Sequence, residues 1–445
     1  MGKLFGTDGI RGLANEELTP ELAFRLGRAA GVLLQVPGER AKIVVGRDTR
    51  LSGPMLEAAL TAGICSAGVD VYLAGVIPTP AVAYLTRTLD TSAGVVISAS
   101  HNPAADNGIK FFNHQGFKLD DELEEKIEEL VLGDMSDLPR PTGEDLGKVI
   151  MLDDGAERYI SFLKGLVNKP LSGLRIVLDC ANGAASSIAP RVFRELGAQV
   201  ISLHDLPTGT NINDGCGSTH IESLEKAVLK YEAHFGLAHD GDADRVLAVD
   251  EQGRLVDGDQ IMVICGLALH RKKALGGKLV VTVMSNLGLK QAFEAAGVEV
   301  LETKVGDRYV LEQMLESGAI LGGEQSGHII FLEHNTTGDG LLTALQLAQV
   351  IQESGQSLSS LAAQMQVLPQ VLVNVRVKSK IGWEENPRIQ EVIKKTEETL
   401  QGRGRLLVRA SGTEHLLRIM AEGPDQGELE NLTEEIAKIV GEELS

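Results

Sequence analysis

Aromatic residues are scarce in this chain: they make up 4% of 445 residues, with a single tryptophan. So few rings exclude the stacking platforms on which single-stranded nucleic acids lie. Basic residues are also in short supply, since 42 Lys and Arg face 62 Asp and Glu for a formal net charge of −20. Nucleic acid and anionic membrane both need a basic surface, so neither is an expected partner. A small anionic substrate is still admissible where a few basic side chains converge. No apolar run is long enough to span a bilayer. The opening MGKLFGTDGIRG lacks the apolar core of a secretory signal, and a cytoplasmic location is expected. The four cysteines, Cys65, Cys180, Cys216 and Cys265, show no C-x-x-C pair and no zinc-like spacing. They read as free thiols of a reducing compartment. Cys216, in the polar stretch NINDGCGST, reads as a small side chain that fits a turn, with a reactive thiol as the alternative. Neither G-x-x-x-x-G-K-[ST] nor G-x-G-x-x-G occurs, so nucleoside triphosphate and dinucleotide sites lose their usual signals.

What is present is long enough for three or four domains. Strand and helix patterns alternate in three successive stretches. The first has AKIVVG, a helix over Pro54 to Ala67, VDVYLAG and AGVVIS. The second has LRIVLD, a helix over Pro190 to Leu196, AQVISL, a helix over Ile221 to Tyr231, and AHFGLAH. The third has GKLVVTV, a helix over Leu289 to Ala296, VEVLET, a helix over Asp307 to Glu316, and AILGG. Such alternation predicts mainly parallel α/β units in a repeated architecture. The tail differs: VLVNVRVKS, GRLLVRA and HLLRIMAE are strands, and helices are expected over Asn386 to Leu400 and Leu429 to Glu443. The fold class is therefore α/β, with three similar mixed domains (1–153, 154–253 and 254–368) and a smaller α+β C-terminal domain (369–445).

Parallel α/β domains bind ligands at the carboxyl ends of their strands, and each unit carries an informative loop there. After AGVVIS comes SASHNPAADNGIK, where Ser100 between small residues suits a nucleophile or phosphoryl carrier. A polar turn that satisfies its own backbone is the alternative. After AHFGLAH comes DGDADR. Asp240, Asp242 and Asp244 make a hard oxygen site suited to Mg²⁺ and would repel one another without a cation. An EF-hand is rejected, because Arg245 stands where glycine is needed and both flanks read as strands. After AILGG comes EQSGH, whose Glu324, Ser326 and His328 could bond sugar hydroxyls or an amine, or form an ordinary hairpin turn. In the tail, RASGTEH offers the Arg409 fork with the hydroxyls and amides of Ser411, Gly412 and Thr413, a phosphate grip without a P-loop. Two further basic clusters lie at or beside strand ends of the first domain: Thr7, Asp8 and Arg11 in one, Arg47 and Arg50 in the other. Each reads as functional or as a structural Asp–Arg turn.

From FGTDGIRG through SASHNP, DGDADR and GEQSGH to RASGTEH, the chain resembles the α-D-phosphohexomutase superfamily over essentially its whole length. NINDGCGSTH, KVGDRYV, GEQSGHII and NTTGDG point to its hexosamine-phosphate branch. The resemblance implies four domains around a central cleft, the last one mobile. It implies interconversion of glucosamine 6-phosphate and glucosamine 1-phosphate, feeding UDP-N-acetylglucosamine and cell-wall precursor synthesis. Mg²⁺ is the implied cofactor, and glucosamine 1,6-bisphosphate the intermediate or activator. Carried over by position, Ser100 is the phosphoserine and binds the metal with Asp240, Asp242 and Asp244. Arg11, His101, Lys110 and Arg245 assist catalysis, with Lys110 the expected base, made less basic by nearby positive charge. Thr303, Asp307, Arg308, Glu324, Ser326 and His328 face the sugar. Arg409, Ser411, Gly412, Thr413 and Arg418 hold the non-reacting phosphate. The family usually has proline where this chain has His415. Expected partners are the hexosamine phosphate and, with the oligomeric state open, a second copy in a homodimer. The alternatives are a mutase of mannose or glucose phosphates and a non-catalytic sugar-phosphate sensor. The sensor would normally have lost Ser100 or one of the aspartates.

Overall fold

The structure is a computed structural model and describes residues 4–6, 8–35, 40–410 and 415–444. They form two compact units. One runs to Met284 and takes in Gly297–Gln364; the other comprises Ser285–Ala296 and the chain from Met365 onward.

The first unit opens with β1 (Ile10–Leu13), α1 (Pro20–Leu33), β2 (Lys42–Arg47), α2 (Gly53–Ser66), β3 (Asp70–Val76) and α3 (Thr79–Thr88). It continues with β4 (Ala93–Ile97), β5 (Asp106–Asn113), α4 (Asp121–Leu132) and β6 (Val149–Met151). The sheet order is β1-β5-β4-β2-β3-β6. Thr19 caps α1 by accepting from the Leu22 amide at 3.2 Å, and Pro20 fits the first turn, where no amide donor is needed. α1 and α2 cross closely because both carry glycine at the contact. A Cβ on Gly27 would lie 2.2 Å from the Leu60 carbonyl oxygen, and one on Gly63 would lie 2.1 Å from that of Phe24. Ile43, Val45, Leu56, Leu60 and Val95 lie in the core between these helices and the sheet.

Next come α5 (Gly155–Gly165), β7 (Arg175–Asp179), α6 (Ala189–Glu195), β8 (Gln199–Leu203), α7 (Glu222–Lys230), β9 (Phe235–His239), β10 (Val246–Asp250) and β11 (Leu255–Val256). Their sheet runs β11-β10-β9-β7-β8. Then follow α8 (Gly258–Arg271), β12 (Lys278–Thr282), α9 (Leu287–Ala295), β13 (Glu299–Thr303), α10 (Asp307–Ser317), β14 (Leu321–Gly323), β15 (Ile329–Phe331), α11 (Gly340–Ser354) and α12 (Leu358–Ala362). This sheet runs β13-β12-β14-β15. Its members all belong to the first unit, whereas α9 belongs to the second.

The expected parallel character holds at the centre of each sheet and fails at a recurring place. β4 is answered by antiparallel β5, β9 by antiparallel β10, and β14 by antiparallel β15. All three chemistry-bearing loops are therefore turns of hairpins. Only one of the three was read as a hairpin candidate, because the return strands are masked by site residues rather than marked by alternation.

The C-terminal part of the second unit has the expected small α+β character, and α9 joins it from the preceding stretch. β16 (Gln370–Arg376), α13 (Pro387–Leu400), β17 (Arg405–Ala410), β18 (Leu416–Glu422) and α14 (Gln426–Leu444) give an antiparallel sheet of order β16-β18-β17. Ile389, Val392, Leu417, Ile419, Ile436 and Val440 form its core. Ser411, Gly412 and Thr413, and Thr7 in the first unit, lie outside the described residues.

Candidate active site

Ser100 sits in the β4–β5 turn at φ 52°, a left-handed conformation uncommon for a residue with a Cβ. Its loop is held from behind. The Ser100 amide donates to Ser98 Oγ at 3.0 Å, and Ser98 Oγ donates to Asp48 Oδ2 at 2.6 Å. Asp48 also receives the Arg50 amide and Nε, both at 2.9 Å. The Arg50 guanidinium then donates to four carbonyl oxygens of the serine loop: Ser100 at 3.1 Å, Asn102 at 2.8 Å, Asp106 at 2.9 Å, and Pro103. Asp48 and Arg50 are both fully buried. This assigns Arg50 to holding the loop, not to contact with a substrate phosphate. Arg47 turns instead to Glu57, Nε to Oε2, at 3.3 Å. Asn213 completes the support, donating to the Ser100 and Asn102 carbonyls at 2.9 and 3.0 Å.

The front of Ser100 faces the DGDADR turn. Its Oγ donates to Asp240 Oδ2 at 2.7 Å and lies 3.2 Å from His101 Nδ1. A Cβ on Gly241 would come within 2.5 Å of the Ser100 carbonyl oxygen, so only glycine lets the two turns meet. Asp240, Asp242 and Asp244 are buried, and an oxygen of each lies within 4.8 Å of the others. Burial, then Asp244 and Asp242, push the Asp240 carboxyl well above the usual range. Asp242 is buried too, but Lys110 and the Thr79 hydroxyl hold it down. Thr79 Oγ1 donates to its Oδ2 at 2.7 Å, and Lys110 Nζ does so at 3.0 Å. Among the described residues, the second carboxylate oxygens of Asp242 and Asp244 are buried with no hydrogen-bond partner. Clustered carboxylates with spare inward lone pairs fit a hard divalent cation.

Around this centre lies a chain of alternating charge. Lys110 Nζ is 3.0 Å from Asp8 Oδ2 and 3.8 Å from Asp244 Oδ2. Asp8 also pairs with Arg11 and Lys118, and Lys118 pairs on to Asp307. Burial disfavours the Lys110 cation, yet Asp242 and Asp8 outweigh it and hold the ammonium above its ordinary range. The expectation of a less basic Lys110 rests on nearby positive charge, a bound metal included; with no cation among these carboxylates the shift runs the other way. His101 goes the other way, lowered to about 4 by burial, then by Arg245 and Arg11.

The EQSGH turn is tied to the DGDADR turn. The Val246 amide donates to the Gly327 carbonyl at 3.1 Å, and Arg245 bridges His328 in antiparallel register. Burial disfavours the Arg245 cation, but Asp244, Asp240 and Glu324 outweigh it and hold the half-buried guanidinium protonated. Glu324 Oε1 accepts the Gly306 amide at 3.1 Å. His328 Nε2 lies 3.7 Å from Asp307 and 4.0 Å from Asp244. Ser326 Oγ, both His328 nitrogens, Arg245 Nε and Arg11 Nε are buried without a hydrogen-bond partner among the described residues. Orphaned polar atoms are costly, and their concentration here marks a surface shaped for a polar ligand.

Ser100, His101, Lys110, Arg11, the three aspartates, Arg245, Asp307, Glu324, Ser326 and His328 are thus brought together. Two expected sugar residues have their polar groups engaged elsewhere, although Arg308 lines the same cavity as Lys118, Asp307 and His328. Thr303 Oγ1 donates to the Lys304 carbonyl at 2.9 Å, and the Arg308 guanidinium is taken up by Asp121, by Glu124 at 3.1 Å and by the Leu119 carbonyl at 2.9 Å. Arg308 is a brace to α4. Sequence reasoning missed Thr79, Lys118 and Asn213. Thr79 opens α3 behind an ordinary PTP turn, and Lys118 reads as a surface lysine. In the second unit, Arg409 and Arg418 are direct cross-strand partners on β17 and β18. Burial and the Arg418 charge both lower the Arg409 guanidinium.

The phosphoglucomutase/phosphomannomutase family matches in four parts: α/β/α domain I at residues 2–136, domain II at 157–253, domain III at 257–368 and the C-terminal domain at 372–439. The chain belongs to this family. It is 61% identical over 442 residues to the phosphoglucosamine mutase of Desulforamulus reducens, covering 99% of this chain and 100% of that one. It is 60% identical over 433 residues to that of Moorella thermoacetica, covering 97% and 98%. Within the family it therefore stands among the phosphoglucosamine mutases, isomerases that interconvert glucosamine 6-phosphate and glucosamine 1-phosphate. The fold also matches Aspergillus fumigatus N-acetylphosphoglucosamine mutase in complex with GlcNAc-6P and magnesium. That match has a TM-score of 0.73 at 18% identity and covers 100% of this chain and 96% of that one. Among the described residues no helix is long and apolar enough to cross a membrane.

Proposed function

We propose that the mutase reaction runs through phospho-Ser100 and a 1,6-bisphosphate, with Mg²⁺ held by Asp240, Asp242, Asp244 and the serine phosphate. The observation that carries this is Ser100 Oγ at 2.7 Å from Asp240, beside two buried carboxylate oxygens with no hydrogen-bond partner among the described residues. The magnesium named with the Aspergillus fumigatus relative supports it. Bound there, Mg²⁺ would neutralise phosphoryl oxygens and so favour in-line transfer.

The sugar hydroxyl oxygen attacks phosphorus, the P–Oγ bond breaks, and the hydroxyl proton leaves. Lys110, held protonated, serves as a cation for the phosphoryl oxygens and not as the acceptor. The acceptor role passes to His328, whose ring nitrogens are buried and have no hydrogen-bond partner among the described residues. Arg245 and Arg11 stabilise the charge in flight. Glu324 pairs with the protonated 2-amine, a charge-assisted contact that a 2-hydroxyl cannot match. The bisphosphate turns over and returns its other phosphate to Ser100. Arg409, Arg418 and the RASGTEH loop hold the phosphate that is not reacting.

The test compares kcat/KM for glucosamine 6-phosphate and glucose 6-phosphate. The proposal expects the amino sugar to be preferred and Glu324→Gln to shrink that preference. Equal efficiencies in the parent protein would remove Glu324 from its role.

A further inference from the structure

A second cluster of metal-ligating side chains lies outside the serine and DGDADR turns. Asp179 ends β7, and His204 directly follows β8, its parallel neighbour. The two residues thus stand side by side at the carboxyl edge of the sheet, where α/β folds receive ligands. Cys216 reaches them from the loop that returns toward α7. His204 Nδ1 lies 3.0 Å from Asp179 Oδ2. One ligand atom from each of the three residues lies within 4.8 Å of the others. Asp179 and Cys216 are fully buried, while the His204 side chain is 31% exposed. We infer that Asp179, His204 and Cys216 form a binding site for a borderline-soft divalent cation, Zn²⁺ by preference.

Three arguments carry it. The first is geometry. Zinc bonds of about 2.0–2.3 Å put tetrahedral ligand atoms roughly 3.3–3.8 Å apart, so closure from within 4.8 Å needs a shift of no more than about 1.5 Å. The second is chemistry. One thiolate, one imidazole and one carboxylate suit zinc, whereas an all-oxygen set such as Asp240, Asp242 and Asp244 suits Mg²⁺. The third is the backbone. His204 is held at φ 48°, a conformation that glycine adopts without strain, yet the chain places an imidazole there. The exposed edge of His204 gives the ion an entry and leaves a fourth position for water. Burial, then Asp179 and Asp214, raise the Cys216 thiol to about 12, so binding must expel its proton and should tighten as pH rises. No spacing rule would find this trio, since its members lie on three separate connections.

The site bears on the reaction through position. The Asn213 amide donates to the Ala181 carbonyl at 2.9 Å, and the Asn182 carbonyl accepts the Thr49 hydroxyl at 2.6 Å. A cation joining Asp179, His204 and Cys216 would stiffen the segment that presents Asn213 to the serine loop.

Full-length protein saturated with Mg²⁺ is titrated with Co²⁺ and watched for thiolate-to-cobalt charge-transfer absorption, which an oxygen-only site cannot give. The expected result is a band that saturates at one equivalent and is bleached by Zn²⁺. It should be absent in Cys216→Ser, unchanged in Cys180→Ser, and at least tenfold weaker in apparent affinity in His204→Gly, a variant whose backbone suits the position. No band at saturating Co²⁺, or a band that survives Cys216→Ser, overturns the inference. Mutase activity is not the readout, so the result is independent of the mechanism proposed above.

Discussion

Arg50 shows how a residue far from solvent can govern chemistry. Its guanidinium has one buried counterion and four carbonyl partners, all on the serine loop. Breaking such a buried pair by removing one partner costs about 3–5 kcal/mol. Arg50→Met should lower the denaturant-derived stability by that order. Arg50→Lys, keeping charge without the fork, should fold better yet lose kcat with little change in KM. Unchanged kcat in Arg50→Lys would confine Arg50 to stability alone. His101 yields a pH expectation. Its folded pKa of about 4 lies below the ordinary value. Between about 6.5 and 4 the unfolded chain takes up the proton and the folded chain does not, so this group's contribution to stability falls as pH drops through that window. In metal-free, dephosphorylated protein the His101 ring should stay neutral at pH 6 by NMR; titration near 6.5 would contradict its burial.

At the scale of elements, three hairpin turns interlock, and glycine sets how closely they approach. Gly241→Ala places a Cβ against the Ser100 carbonyl and the Asn213 amide, where overpacking costs about 1–3 kcal/mol. Turnover should fall more than stability does, read as kcat against melting temperature. An unaltered kcat would mean that the turns need not meet so closely. The individual strands and helices were legible because period and punctuation mark them: AKIVVG, LRIVLD and GKLVVTV became β2, β7 and β12. The return strands β5 and β10 were not read as antiparallel, and β15 only as one arm of an alternative hairpin. Register is decided by pairing across the sheet, which no local pattern records. The same limit explains Arg50 and Arg308. A basic residue beside a strand end reads alike whether it grips a phosphate or a carbonyl, and only the fold says which.

For the whole molecule, a net charge of −20 keeps phosphate away unless local cations and a metal reverse the sign. Chelation should therefore abolish turnover, and Mg²⁺ should restore it; persistent activity in chelator would remove the metal from the reaction. Arg409→Ala in the second unit should weaken affinity for both monophosphates about tenfold to a hundredfold, the loss of one charge-assisted contact. Phosphorylation of Ser100 should survive that change. The site's chemistry was largely legible, because Ser100, the DGDADR aspartates and the EQSGH turn announce themselves by residue type. Lys110 was found but its pairing was not, since Asp8 and Asp242 reach it from distant segments. The central claim is that Ser100 carries the phosphoryl group. Protein bearing radiolabelled phosphate on Ser100 is mixed with excess unlabelled glucosamine 6-phosphate for a single turnover. The account predicts that label leaves Ser100 and appears on the 1-position of the bisphosphate and of glucosamine 1-phosphate. Label that stays on Ser100 while glucosamine 1-phosphate accumulates would contradict it.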